Sequence, residues 1–240
     1  MFSHPNLVSS TLTTCLELAA EKSSYTHIHI LGRQDYLTTW QAMQTYTKQR
    51  HPKSPNQIWL LEHYPLYSAG TSSQRKDILA ALDHPLHCVD RGGKITYHGP
   101  GQLMLYYLID LRRNPDLRLK KLIHLLEQIL LHILKEYHIN AQTDPTARGI
   151  YYKKCKIGAI GLAVKNSSSM HGCALNVNTN LDAFNNINAC GQNIRPTNIH
   201  TYQPRCTQTI LNTTCSAIHK YWPEPIIGGA TTQQVENIYP

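Results

Sequence analysis

Leu119, Leu122, Leu126, Ile129, Ile133 and Tyr137 recur at intervals of three and four, the spacing that aligns side chains along one face of an α-helix. The pattern predicts one long amphipathic helix over about 117–138. Burial of its stripe contributes roughly 1.5–3 kcal/mol per large side chain as an upper bound, so this helix is scaffold rather than site. Strands and shorter helices surround it. An alternating run at 27–31 reads as a strand broken by Gly32, after which Asp35 caps a helix with Leu37, Trp40 and Met43 on one face. The proline-rich run 51–55 ends that helix. Further strands are expected at 58–62, 86–89 and 102–111, the last being the most apolar, with 68–76 a polar loop leading to a brief helix. A hairpin is expected to turn at Lys153-Lys154, between strands 148–152 and 156–164, followed by a strand at 171–178 and one or two helical turns at 182–187. A last helix covers 207–221. These runs suggest an α+β fold with mixed sheets packed with helices. Residues 1–26 read as an extension, 27–222 as a single domain, and 223–240 as a tail that is disordered after Pro225.

The chain has 240 residues, with 23 Lys+Arg against 15 Asp+Glu and a net charge of +8. Such a field favours encounters with acidic partners, although solubility alone is an equal explanation. The densest basic clusters are Lys153-Lys154-Cys155-Lys156 and Lys120-Lys121, a weak footprint for nucleic acid. Seven cysteines make an odd set with no Cys-x-x-Cys pair. Free thiols in a reducing, cytoplasmic compartment are the simplest reading. Residues 1–22 lack the basic start and apolar stretch of a signal peptide, and no apolar run is long enough to span a bilayer. No membrane or nucleic-acid partner is therefore expected.

The most informative segment is Arg91-Gly92-Gly93-Lys94-Ile95-Thr96-Tyr97-His98-Gly99-Pro100-Gly101-Gln102. Its glycines let backbone approach a ligand closely, and Arg91, Tyr97, His98 and Gln102 add polar groups around it; a plain glycine-rich turn is the alternative. It lacks the Gly-Lys-Ser/Thr ending of a phosphate loop and the glycine spacing of a dinucleotide site. A second segment, Lys156-Ile157-Gly158-Ala159-Ile160-Gly161, opens a strand of small residues with a lysine that is otherwise simply solvated. The third is His171-Gly172-Cys173-Ala174-Leu175-Asn176-Val177-Asn178, and the fourth Asn188-Ala189-Cys190-Gly191. A cysteine before glycine in a loop is exposed enough to react, and a thiol is the natural nucleophile toward a thioester. Most cysteines are inert core residues, so the residues alone leave Cys190 one candidate among seven. No metal is expected. A zinc site from His98, His171 and Cys173 is conceivable, but the histidines show no paired ligand spacing.

Read in order, these motifs resemble the lipoyl(octanoyl) transferase family, the octanoyltransferases that begin protein lipoylation. The pattern Arg-Gly-Gly, then Thr-Tyr-His-Gly-Pro-Gly-Gln, matches residues 91–102, and residues 156–161, 171–178 and 190–191 follow in the family's order. Residues 32–36 and 59–63 resemble its N-terminal signatures. The resemblance implies a biotin/lipoate protein ligase-like fold and makes residues 27–222 a catalytic acyltransferase domain. It implies Cys190 as the acyl-thioester nucleophile and Lys156 as its acid/base partner. Arg91, Gly92, Gly93, Lys94, Ile95, Thr96, Tyr97, His98, Ala159, Ile160, Gly161, Gly172, Cys173 and Ala174 would line the octanoyl pocket. It implies octanoyl-acyl carrier protein as donor and, as acceptors, the lipoyl domains of 2-oxoacid dehydrogenase complexes and the glycine cleavage H protein, with no cofactor. Two residues depart from the pattern: Cys173 stands where leucine is usual, raising the prospect of a rival thiol, and Ala189 where proline is usual.

His98 and His171 are candidates for orienting substrate or stabilising the oxyanion charge, with a structural hydrogen bond from ring to backbone the alternative for each. A lipoate or biotin protein ligase is the nearest rival reading; it would need ATP and magnesium but no nucleophilic cysteine. A basic nucleic-acid-binding protein explains the charge but leaves the glycine and cysteine motifs without a purpose.

Overall fold

The computed structural model describes residues 25–113, 117–189 and 194–227. The chain opens with β1 (Thr26–Gln34), α1 (Tyr36–Gln49), β2 (Asn56–His63), β3 (Leu66–Ala69), β4 (Leu86–Cys88), β5 (Thr96–His98) and β6 (Gln102–Leu108). It continues through α2 (Leu119–Glu136), β7 (Gln142–Thr143), β8 (Ile150–Tyr152), β9 (Cys155–Lys165), β10 (Ser168–Asn176), α3 (Ile210–Tyr221) and β11 (Ile226–Ile227). Eight of these strands form one sheet in the order β11-β1-β2-β6-β10-β9-β8-β7, and three form a smaller sheet, β4-β3-β5. Both are mixed: β1 runs parallel to β2 and β11, and β3 parallel to β4, while the remaining pairs are antiparallel. The architecture is α+β, as the order of strand and helix runs suggests. Among the described residues no helix is long and apolar enough to cross a membrane.

The large sheet is covered on both faces, which explains why β6 reads as a continuous apolar run. Leu103, Leu105 and Tyr107 of β6, with Ile58 and Leu60 of β2, pack against the buried stripe of α2 and against α3. Their alternates Met104, Tyr106 and Leu108, with Trp59 and Leu61, face the other way and meet Met43 of α1. The α2 stripe is as expected from Leu122 to Ile133, with Leu130 and Leu134 added. Leu119, at its first turn, is exposed.

Several local expectations are corrected. Gly32 does not end β1; at φ 67° it carries a bulge between Ile30 and Gly32, after which pairing with β2 resumes to Gln34–His63. Asp35 caps α1, accepting a hydrogen bond from Thr38 N at 2.8 Å, but Leu37 is exposed and the buried face is Tyr36, Thr39, Met43 and Thr47. The loop expected from Ser68 begins inside β3. The hairpin does turn at Lys153-Lys154, both with positive φ.

The tail expected from residue 223 begins inside the fold. Ile226–Ile227 pairs with Thr26 and His27, so the first two residues of β1 are bracketed by β11 on one side and by Asn56 and Gln57 of β2 on the other. The Glu224 carboxylate accepts from Thr26 Oγ1 at 2.8 Å and Asn56 Nδ2 at 2.7 Å, and Thr26 and Asn56 are fully buried. The rest of the expected N-terminal extension, residues 1–24, and residues 228–240 lie outside the described residues. Glu224→Ala leaves two buried donors without their acceptor, and we expect it to lower stability by about 1–3 kcal/mol. The check is the urea unfolding midpoint; an unshifted midpoint would return Glu224 to a mere tail.

Candidate active site

On the α1 side of the large sheet lies a cavity of about 740 Å³, within the range of roughly 300–1,000 Å³ usual for small-molecule sites. Its floor is built from the small residues Ala159 and Gly161 of β9 and Gly172 and Ala174 of β10, beside Met104 and Tyr106 of β6. A Cβ on Gly172 would collide with the Leu105 carbonyl, so that position admits only glycine. Of the residues expected to line a pocket, Arg91, Gly92, Gly93, Lys94, Thr96, His98, Ala159, Ile160, Gly161, Gly172, Cys173 and Ala174 all border this cavity, as do Lys156 and His171. Ile95 and Tyr97 do not. They alternate with Thr96 and His98, and pack with Tyr67, Ala183 and Ile187 in a separate small core.

Arg91 is the electrostatic centre of the glycine-rich wall. Its guanidinium is buried and donates to Ser68 Oγ (3.1 Å from Nε, 2.8 Å from Nη2), to the Ser68 carbonyl at 2.6 Å and to the Gly92 carbonyl at 3.0 Å. Ser68 Oγ, accepting from Arg91, directs its proton to His98 Nε2 at 2.9 Å. His98 Nδ1–H donates to Gln102 Oε1 at 2.8 Å, and Gln102 Nε2 donates to Asn176 Oδ1 at 3.0 Å. This pattern defines a neutral His98 with its proton on Nδ1. Burial, reinforced by Arg91, holds its pKa well below the usual value. Both ring nitrogens are engaged, so His98 positions the wall and does not meet substrate through either one.

His171 differs. It sits in β10 with φ 60°, a left-handed conformation uncommon for a side-chain-bearing residue. Its Nε2 lies 2.8 Å from Asp90 Oδ1, which also accepts from Trp40 Nε1 at 2.8 Å. The His171 hydrogen bond is the leading cause that brings the Asp90 carboxyl down to about 2, whereas burial lowers the pKa of His171 itself. The consistent state is an ionised Asp90 accepting from a neutral imidazole. His171 Nδ1 is then a bare acceptor, buried and without a hydrogen-bond partner among the described residues. A third neutral imidazole, His63, donates from Nδ1 to the Gln34 carbonyl at 3.0 Å and accepts the Tyr106 hydroxyl proton at Nε2, 2.8 Å away.

Lys156 joins three segments. Its N–H donates to the Arg195 carbonyl at 2.8 Å, its carbonyl accepts from Thr197 N at 2.8 Å, and its Nζ donates to the Arg148 carbonyl at 3.0 Å. Thus the chain just after residue 193 is pinned to Lys156. The chain just before residue 190 is pinned elsewhere: Asn188 N donates to the Asp77 carbonyl at 2.7 Å and Leu79 N to the Asn186 carbonyl at 2.8 Å. The buried Asp77 is itself fixed by Lys94 Nζ at 2.7 Å, so Lys94 serves this anchor as well as the wall. Ala189 and Ile194 both border the cavity; Cys190 and Gly191, between them, lie outside the described residues.

Cys173 supplies no rival thiol. Its side chain belongs to the core facing α2, opposite in strand alternation to Gly172 and Ala174, and burial raises its pKa strongly. It is also the one described cysteine that borders the cavity. The conceivable zinc set of His98, His171 and Cys173 is therefore not assembled. Residues that the motifs did not flag are Ser68, Met104, Tyr106 and Arg148. The two-residue spacing of Gln102, Met104 and Tyr106 was a usable signal for one face of a strand; nothing local marks Ser68.

The chain matches the model of the lipoyl protein ligase A/B catalytic domain over residues 35–212. It is 43% identical over 165 residues to the octanoyltransferase of Shewanella sp. (strain W3-18-1), covering 69% of this chain and 76% of that protein. With the octanoyltransferase of Aromatoleum aromaticum it shares 47% over 161 residues, 67% of this chain and 69% of that protein. The chain belongs to the octanoyltransferase family. It is an acyltransferase. Its fold is that of lipoate protein ligases: it superposes on lipoate-protein ligase A bound with ATP with a TM-score of 0.70 at 12% identity, covering 90% of this chain and 92% of that one. A bi-partite lipoate protein ligase from Thermoplasma acidophilum gives 0.67 at 12% identity, covering 90% of each chain.

The buried imidazoles set an acid limit on this acyltransferase. Burial lowers His63 from the usual 6.5 to about 4, so between those values the unfolded chain binds a proton that the folded one excludes. Stability from this residue is intact above pH about 6.5 and declines as pH falls towards 4, by about 3 kcal/mol in all. We expect the stability gap between wild type and His63→Gln to narrow over this interval in urea unfolding. Parallel curves for the two proteins would contradict the assignment.

Proposed function

We propose that this acyltransferase moves an octanoyl group from octanoyl-acyl carrier protein to the target lysine of lipoyl domains, through a thioester on Cys190. The acceptors are the lipoyl domains of 2-oxoacid dehydrogenase complexes and the glycine cleavage H protein. The observation that carries the reading is the anchoring of the chain on both sides of Cys190: Ala189 and Ile194 border the cavity, and the segment beyond is hydrogen-bonded to Lys156. The floor of small residues suits an unbranched alkyl chain, and the named relatives are octanoyltransferases.

A free thiol has a pKa of about 8.5, and a neighbouring ammonium favours its thiolate. The thiolate attacks the donor thioester, and Lys156 gives a proton to the departing carrier thiol. Lys156, now neutral, takes a proton from the acceptor amine as that amine attacks the acyl-enzyme, and the Cys190 thiolate leaves. His171 Nδ1, an acceptor only, suits a substrate N–H rather than a developing oxyanion. Neither ATP nor a metal enters these steps, and free thiols suit the reducing cytoplasm.

The test is octanoyl transfer to a lipoyl domain from octanoyl-carrier protein without ATP. Wild type should transfer, Cys190→Ala should be inactive while folded, and Lys156→Ala should lose about 10²–10⁴-fold, the usual worth of a general acid–base group. Transfer that requires ATP and free octanoate would favour ligation instead, and full activity in Cys190→Ala would sink the mechanism.

A further inference from the structure

Arg148 and Arg195 are exposed, border the cavity, and form no ion pair with another described residue. They come from separate segments, yet both backbones are fixed on one residue: the Arg148 carbonyl receives Lys156 Nζ at 3.0 Å and the Arg195 carbonyl receives Lys156 N at 2.8 Å. Gly149 keeps the first segment against the lysine, since a Cβ there would stand 2.6 Å from Lys156 Cε. No aspartate or glutamate is among the described residues that border the cavity. The charged residues that border the cavity beside Lys156 are therefore all cations, the nearby Asp144 carboxylate being engaged by Thr146 N and Oγ1 on the same loop, and both guanidinium forks extend from fixed main chain into solvent.

Length decides which substrate meets this edge. A lysine side chain spans roughly 6 Å from Cα to Nζ, five bonds of about 1.5 Å. A protein that delivers its lysine amine to Lys156 must bring its own backbone within about one side-chain length of Lys156 Nζ, and so up to the cavity edge where the Arg148 and Arg195 main chains are held by Lys156. A carrier protein that presents a thioester on a prosthetic arm several times longer can stand off. We propose that Arg148 and Arg195 form the docking edge for the acceptor protein and pair with carboxylates that flank its target lysine. This rests on the transfer to a protein lysine set out above. Guanidinium forks bind carboxylates bidentately, and complementary charge at the edge of an interface acts on encounter and on salt dependence.

The test separates the two half-reactions in full-length protein carrying Arg148→Glu and Arg195→Glu. Loading is followed as acyl-enzyme formation from octanoyl-carrier protein, and transfer as octanoylation of a purified lipoyl domain titrated at saturating donor. The reversal should raise the acceptor KM about tenfold or more, with a much smaller effect on loading, and flatten the salt dependence of transfer. A lipoyl domain whose carboxylates next to the target lysine are changed to lysine should recover part of the loss with the variant and lose activity with wild type. An acceptor KM within twofold of wild type, in a protein that loads and transfers, would overturn the docking edge alone. A loss in loading as large as that in transfer would overturn it by assigning the arginines to the donor. Failure of wild type to form an acyl-enzyme would instead remove the transfer reading, and this inference with it.

Discussion

A guanidinium withdrawn from water keeps its charge, so the burial of Arg91 obliges its surroundings to supply acceptors, and much of the site follows from how they do so. No carboxylate pairs with it among the described residues; two oxygens of Ser68 and the Gly92 carbonyl take its protons instead. That arrangement needs backbone at close range. A Cβ on Gly70 would stand 2.7 Å from Arg91 Nη1 and 2.8 Å from the Arg91 carbonyl. From Ser68 the hydrogen bonds run through His98, Gln102 and Asn176 to the Thr197 carbonyl, one residue from the pairing of Lys156 with Pro196. One buried cation thus ties the small sheet, the glycine-rich wall, β10 and the segment beside Lys156 into a single polar spine. Each member is satisfied, as the low-dielectric interior requires.

The large sheet divides its work between faces. Towards α2 and α3 it offers large residues that pack densely, and Cys173 belongs there as a small hydrophobe. Towards the cavity the same strands offer glycine and alanine, which leave volume instead of filling it. Alternation along β9 and β10 enforces the division, and for that reason the departure at residue 173 changes the core and adds no nucleophile to the cavity.

Much of this was legible in the sequence because it is written locally. The α2 stripe, the Asp35 cap and the Lys153-Lys154 turn each depend on neighbours within a few residues. So does the glycine-rich wall, whose composition announces close backbone approach. What was missed depends on partners far along the chain. Ser68 reads as loop because its value lies in Arg91 and His98, and Glu224 reads as tail because its donors are Thr26 and Asn56. Helical spacing alone places Leu37 on the buried face, whereas the packing around α1 buries Tyr36 and Thr39. The motif as a whole carries Ile95 and Tyr97 to the pocket, but the two-residue alternation of β5 sends them to another core.

The account's central claim is that an acyl group rests on Cys190 between donor and acceptor, beside a lysine that manages the protons. Intact-protein mass after mixing with octanoyl-carrier protein, without ATP, tests it most directly. The account predicts a single octanoyl adduct on wild type, released by neutral hydroxylamine and absent from Cys190→Ala. An adduct of equal yield on Cys190→Ala, or none on a wild-type protein that still octanoylates its acceptor, would contradict it.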